Sequence, residues 1–114
     1  MTLTQAIIEA IKNKKGHQIA SIDMRKLAVR PCDFFVIAEG TSNTQVNAIA
    51  DEVEDFVRKQ VGEKPAKVVG HDNAQWIAMD YGNVIVHVFQ RDAREFYDIE
   101  SLWADGDITF ITED

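Results

Sequence analysis

No apolar run in this chain approaches the roughly 18 to 20 residues that a bilayer-crossing helix requires, and no basic-then-apolar leader opens it. A soluble, cytoplasmic protein that does not engage a membrane is therefore expected. Cysteine is almost absent: Cys32 stands alone, so no internal disulfide can form and no oxidising compartment is implied. Its place after Pro31 and before an apolar run suits a small buried filler. His17, His71 and His87 share no metal-ligand spacing, and neither metal nor cofactor is expected. Also missing from every strand-like stretch is an Asp-x-Asp or Glu-x-Asp pair, which would aim two carboxylates to one side for metal-assisted phosphoryl or nucleotidyl transfer. Asp105-Gly106-Asp107 has that spacing but lies in an acidic, solvated end. Gly40-Thr41-Ser42 has no accompanying Gly-x-Gly or Gly-Lys-Thr and reads as a turn followed by a helix cap rather than a phosphate loop.

What the chain does have is enough apolar material for one core. Its 114 residues are 46% hydrophobic, which fits a single domain over residues 1–114. The net charge of −7 is unevenly spread. Residues 71–114 hold ten acidic and two basic side chains, whereas residues 1–30 hold two acidic and six basic ones. Nucleic-acid affinity comes largely from neutralising phosphates, so the acidic final block makes a primary nucleic-acid contact unexpected there. A basic protein partner, or solubility alone, fits better.

Taken in order, Thr2 and Gln5 form a capping box for a first helix with Leu3, Ile7, Ile8 and Ile11 on one stripe, ending at Lys14, Lys15 and Gly16. A strand is expected over 17–24 and a buried central strand over 33–39, DFFVIAE. Ser42 and Gln45 begin a second helix whose Val46, Ile49, Ala50, Val53, Phe56 and Val57 recur at helical spacing up to Gly62. Ala66 to Val69 reads as an edge strand after Pro65. Gln75 to Asp80 and Val84 to Gln90 read as a hairpin around Tyr81-Gly82-Asn83. Asp92 and Glu95 form a capping box for a third helix that places Phe96, Ile99, Leu102 and Trp103 inward, and residues 104–114 read as an acidic tail or a brief extra strand. The fold class is thus α/β, a mixed sheet of about five strands with helices packed on it.

The hairpin concentrates the aromatics. With a two-residue Gly82-Asn83 turn, Trp76 lies opposite Phe89, Ala78 opposite His87 and Asp80 opposite Ile85; a three-residue loop would slip the register by one and exchange the faces. Both faces of the hairpin are apolar in either case. One reading has helices covering both faces. The other leaves a face uncovered, rimmed by Asp80, Tyr81, Arg94 and Tyr97, with the aromatic-plus-arginine makeup of interface hot spots.

These residues also carry a family likeness. Asp33-Phe-Phe-Val-Ile-Ala, then Gly40-Thr-Ser-Asn-x-Gln-Val-x-Ala-Ile-Ala-Asp-Glu-Val, resembles the bacterial ribosome silencing factor (Iojap-related) family. So do Trp76, Asp80-Tyr81-Gly82, Val86-His87-Val88-Phe89 and Arg94-Glu95-Phe96-Tyr97-x-x-Glu100-x-Leu102-Trp103, and the likeness spans about residues 5 to 103. The resemblance implies a nucleotidyltransferase-like core without catalytic carboxylates, and a non-enzymatic factor. Such a factor binds ribosomal protein L-fourteen of the large ribosomal subunit and sterically blocks association with the small subunit, repressing translation under nutrient limitation. By motif position it implies Trp76, Asp80, Tyr81, His87, Phe89, Arg94 and Tyr97 as the partner-binding set. Homodimerisation of the free protein stays open.

Overall fold

The protein is described here by a computed structural model covering residues 1–112; the last two residues of the expected acidic tail lie outside the described residues. Helix α1 (Leu3–Asn13) begins as its capping box requires: the Thr2 hydroxyl accepts from the Gln5 backbone N–H, and the Gln5 side chain accepts from the Thr2 N–H. Helix α2 (Asn43–Val61) is capped by Ser42 and stops where Gly62 turns left-handed at φ 71. Gln45 completes only half of the expected box. Its carbonyl oxygen accepts from the Thr41 N–H and hydroxyl, while its amide donates to the carbonyls of Lys14 and Lys15. The side chain expected to close one helix thereby ties the start of α2 to the end of α1.

Six strands form one mixed sheet in the order β3-β4-β5-β2-β1-β6: β1 (His17–Asp23), β2 (Phe34–Gly40), β3 (Lys67–Val69), β4 (Trp76–Asp80), β5 (Val84–Gln90) and β6 (Asp107–Phe110). Only β2 and β5 pair in parallel, at the centre. Period-2 alternation divides the side chains between two faces. Val36, Ala38, Ile77, Met79, Val84, Val86 and Val88 point to one face, where they pack against Ala6, Ile7, Ile11, Val46, Ile49, Val53 and Val57 of α1 and α2. Phe35, Ile37 and Phe89 point to the other, into a smaller core with Ile22, Met24, Cys32 and Ala93. The α/β expectation is borne out, and both long helices lie on a single face.

Two expectations about the C-terminal part are corrected. The sheet has six strands rather than about five, because of the two readings of residues 104–114 the brief extra strand is the one formed: residues 107–110 pair antiparallel with β1, Ile108 opposite Ile22. Ile108 packs on the smaller core, a burial that an acidic stretch seen alone does not advertise. The third helix is also neither capped nor continuous as expected. Helix α3 (Arg91–Tyr97) starts two residues early, on Gln90, which makes no side-chain cap bond, and Asp92 sits in the first turn, where the helix dipole favours an anion. Asp98 then turns left-handed at φ 44 and ends it; one further turn, α4 (Ile99–Leu102), follows. That break resets the helical phase. Ile99 and Trp103 face the core as expected, whereas Phe96 and Leu102 are 81% and 73% exposed.

Candidate functional site

The hairpin has the two-residue turn: Trp76 lies opposite Phe89, Ala78 opposite His87 and Asp80 opposite Ile85. Gly82 supplies the positive φ of 91 that such a turn needs, and the Asp80 carboxylate accepts the Gly82 N–H at 2.7 Å. Trp76, Asp80, His87 and Phe89 therefore share the face away from α1 and α2. Helices α3 and α4 cover only part of it. Tyr97 leaves α3 to lie over Trp76, ring centroids 4.7 Å apart, and Phe96 meets Tyr97 edge-on at 5.1 Å. On the other side of Trp76 the same face continues through Ala78 to Val69, its cross-strand partner on β3. Phe96, Tyr97 and Val69 are exposed, and Trp76 and Ala78 are half-buried. The result is an apolar strip rimmed by Asp80 and its cross-strand partner Lys67.

Beneath the strip, Trp76 stacks on Phe89 with centroids 5.0 Å apart, and its indole N–H donates to His87 Nδ1 at 3.0 Å. Accepting at Nδ1 fixes the neutral tautomer with its proton on Nε2. His87 is only 6% exposed, and burial pushes its pKa down to about 4. Its Nε2 has no hydrogen-bond partner among the described residues, and the Phe35 ring stands edge-on to the imidazole at 4.5 Å. The imidazole is a buried, neutral strut that sets the orientation of Trp76.

The seven residues expected as a contact set thus separate by depth and by face. Trp76, Asp80 and Tyr97 reach the surface of one face; His87 and Phe89 lie under them. Tyr81 does not join the rim. It follows Ile77 and Met79 onto the opposite face, 8% exposed in the helix-side core, where burial raises its phenol to about 12. Arg94 is not a rim residue either. At 8% exposure it lies under α3, donating to both carboxylate oxygens of Glu100, to Glu39 and to the Gln18 carbonyl. Phe96 and Val69 belong to the exposed strip but were absent from the expected set: the phase break at Asp98 hides the first in sequence, and the pairing of β3 with β4 the second.

At the carboxyl ends of the parallel strands β2 and β5, where an open α/β sheet most often binds small ligands, lies a cleft of about 730 Å³ lined by Glu39, Thr41, Gln90, Arg91 and Glu95 among others. Its arginines are engaged by carboxylates, Arg91 with Glu95 and Arg94 with Glu39 and Glu100. Among the described residues, no three His, Cys, Asp or Glu side chains converge as a metal site.

A family model described as ribosomal silencing factor during starvation matches residues 1–114. The chain belongs to the ribosomal silencing factor family. The motif resemblance is thereby borne out and extends over the C-terminal strand. A ribosomal silencing factor of Halalkalibacterium halodurans is 37% identical over 104 residues, covering 91% of this chain and 87% of the relative. Among solved structures, the crystal structure of a Chromobacterium violaceum protein superposes with a TM-score of 0.84 at 34% identity, covering 96% of this chain and 90% of that one. More distantly, a mouse protein named for mitochondrial assembly of the ribosomal large subunit is 30% identical over 99 residues, 85% of this chain and 43% of its own length. Within this silencing-factor fold, the strip from Phe96 to Val69 is an apolar surface on the sheet face opposite α1 and α2.

Proposed function

We propose that the protein binds the large ribosomal subunit through ribosomal protein L-fourteen and, by occupying that surface, sterically keeps the small subunit from joining, repressing translation under nutrient limitation in the cytoplasm. The observation that carries this reading is the exposed strip of Phe96, Tyr97, Trp76, Ala78 and Val69 on the open sheet face. Aromatic side chains of this kind supply binding energy at the centre of protein interfaces. Family membership supplies the ribosome as the setting. The role needs no chemistry from the chain, only a rigid surface and bulk.

Within the expected set, Trp76, Asp80 and Tyr97 are proposed to touch the partner, with His87 and Phe89 holding Trp76 from below. Asp80 and the acidic block of residues 71–114 select a basic patch. Asp80 also caps the hairpin turn through Gly82, so Asp80→Lys would disturb the turn as well as the charge. Asp80→Asn keeps an acceptor there and removes only the charge. Pull-down of purified L-fourteen should weaken with Asp80→Asn, more so at low ionic strength, and with Tyr97→Ala at any salt. Full capture by both variants would sink the assignment.

A further inference from the structure

Helices α3 and α4 carry the most exposed part of the strip, yet they hold little to keep them in place. Seven and four residues are too few to be helical alone in water. Their buried apolar anchorage is Ala93, Ile99 and Trp103, with the exposed Tyr97 ring resting on Trp76. The polar attachment is the Arg94 guanidinium, in which every nitrogen is engaged. Nε donates to Glu100 Oε1 at 2.8 Å and one terminal nitrogen to Glu100 Oε2 at 3.0 Å. The other terminal nitrogen donates to the Gln18 carbonyl at 2.6 Å and to Glu39 Oε1 at 3.2 Å. These bonds join α3 to α4, to β1 and to β2.

The fold contributes a feature of its own to this cluster. The ladder between β1 and β2 is irregular between His17 and Ala20, and Gln18 there adopts a left-handed φ of 50. A bulge re-aims the backbone of its strand, and here the Gln18 carbonyl meets the arginine. Four of the five guanidinium N–H donors end on protein acceptors, and the side chain is 9% exposed. Little of it is left for a partner to touch.

We propose that Arg94 is a positioning residue, clamping the α3–α4 segment to the sheet from beneath so that Phe96 and Tyr97 stand beside Trp76 in the arrangement that docking uses. This role rests on the docking reading above. The clamp converts two short, marginal helices into a rigid edge of the strip, and the partner gains affinity from a surface already ordered.

The test compares Arg94→Met, Glu100→Gln and Tyr97→Ala by hydrogen exchange on the free full-length protein and by binding to isolated large subunits. Methionine fills the apolar part of the arginine volume without its donors. Glu100→Gln, half-buried at the edge of the cluster, carries the test should Arg94→Met fail to fold. Exchange over residues 91–103 is expected to rise about tenfold or more in Arg94→Met while α2, β2 and β5 keep their protection. Binding should weaken in parallel, and adding Tyr97→Ala to Arg94→Met should cost less than Tyr97→Ala costs alone, since its ring is already displaced. Loss of binding with unchanged exchange would make Arg94 a contact and overturn the proposal. So would raised exchange with full binding, or strictly multiplicative effects of the two substitutions. Failure of the unsubstituted protein to bind large subunits would instead remove the docking reading, while the exchange data would still report whether the clamp exists.

Discussion

Lowering the pH from neutral should destabilise this protein through a single imidazole. Burial holds His87 at about 4, whereas a histidine in an unfolded chain titrates near 6.5. Between those values the unfolded state binds a proton that the native state refuses, so stability is complete above about 6.5 and is lost as the pH falls toward 4. The loss is about 2 kcal/mol at pH 5 and about 3 kcal/mol at pH 4. Protonation also turns Nδ1 from acceptor to donor, setting it against the Trp76 indole N–H that it now receives at 3.0 Å. Asp23, held down to about 2 mainly by its hydrogen bond from Arg25, and Asp55, held down mainly by Lys59, keep their contribution above the ordinary carboxylate value of 3.8 and lose it mainly as the pH falls below, outside most of this window. Urea unfolding monitored by tryptophan fluorescence, from neutral pH down to about pH 4.5, measures the slope. His87→Phe keeps the ring volume without the titration and should flatten it. An equal slope in that variant, or none in the unsubstituted protein, would refute a buried and neutral His87.

Other substitutions probe the scaffold under the strip. Phe89→Ala, at a fully buried ring stacked under Trp76, should cost about 3–5 kcal/mol in chemical denaturation. Gly70→Ala should cost about 3 kcal/mol by the same assay, because Gly70 has φ 103 and its new Cβ would stand 2.0 Å from the Trp76 carbonyl oxygen, a backbone atom that cannot rotate away. Ser42→Ala should cost about 1 kcal/mol through the lost cap on α2, with no change in the pH slope.

Much of this was legible in sequence where the signal was local. Ser42 and Gly62 mark the ends of α2 because caps act on their own backbone. The hairpin was legible at Tyr81-Gly82-Asn83 but its register was not, since a two- or a three-residue loop fitted the sequence and only the strand pairing selects the former. The family motifs were likewise contiguous. What sequence hid was set by distant partners. Arg94 looked like a surface hot-spot arginine, but its partners Glu39 and Gln18 lie 55 and 76 positions away, and their meeting depends on the whole sheet. Tyr81 looked like part of the rim because it adjoins Asp80, yet one step along a strand changes face. The left-handed Asp98 has no glycine to announce it, so a single amphipathic helix was the natural reading, and the exposure of Phe96 was missed with it.

The central claim, that the open sheet face docks on the large subunit and excludes the small one, is tested most directly by a subunit-joining assay with separated ribosomal subunits. The unsubstituted protein should cosediment with large subunits and reduce joining as its concentration rises. Tyr97→Ala, at a half-exposed ring that should leave unfolding within about 0.5 kcal/mol, should lose both effects. Undiminished cosedimentation and inhibition by a folded Tyr97→Ala protein would contradict the account.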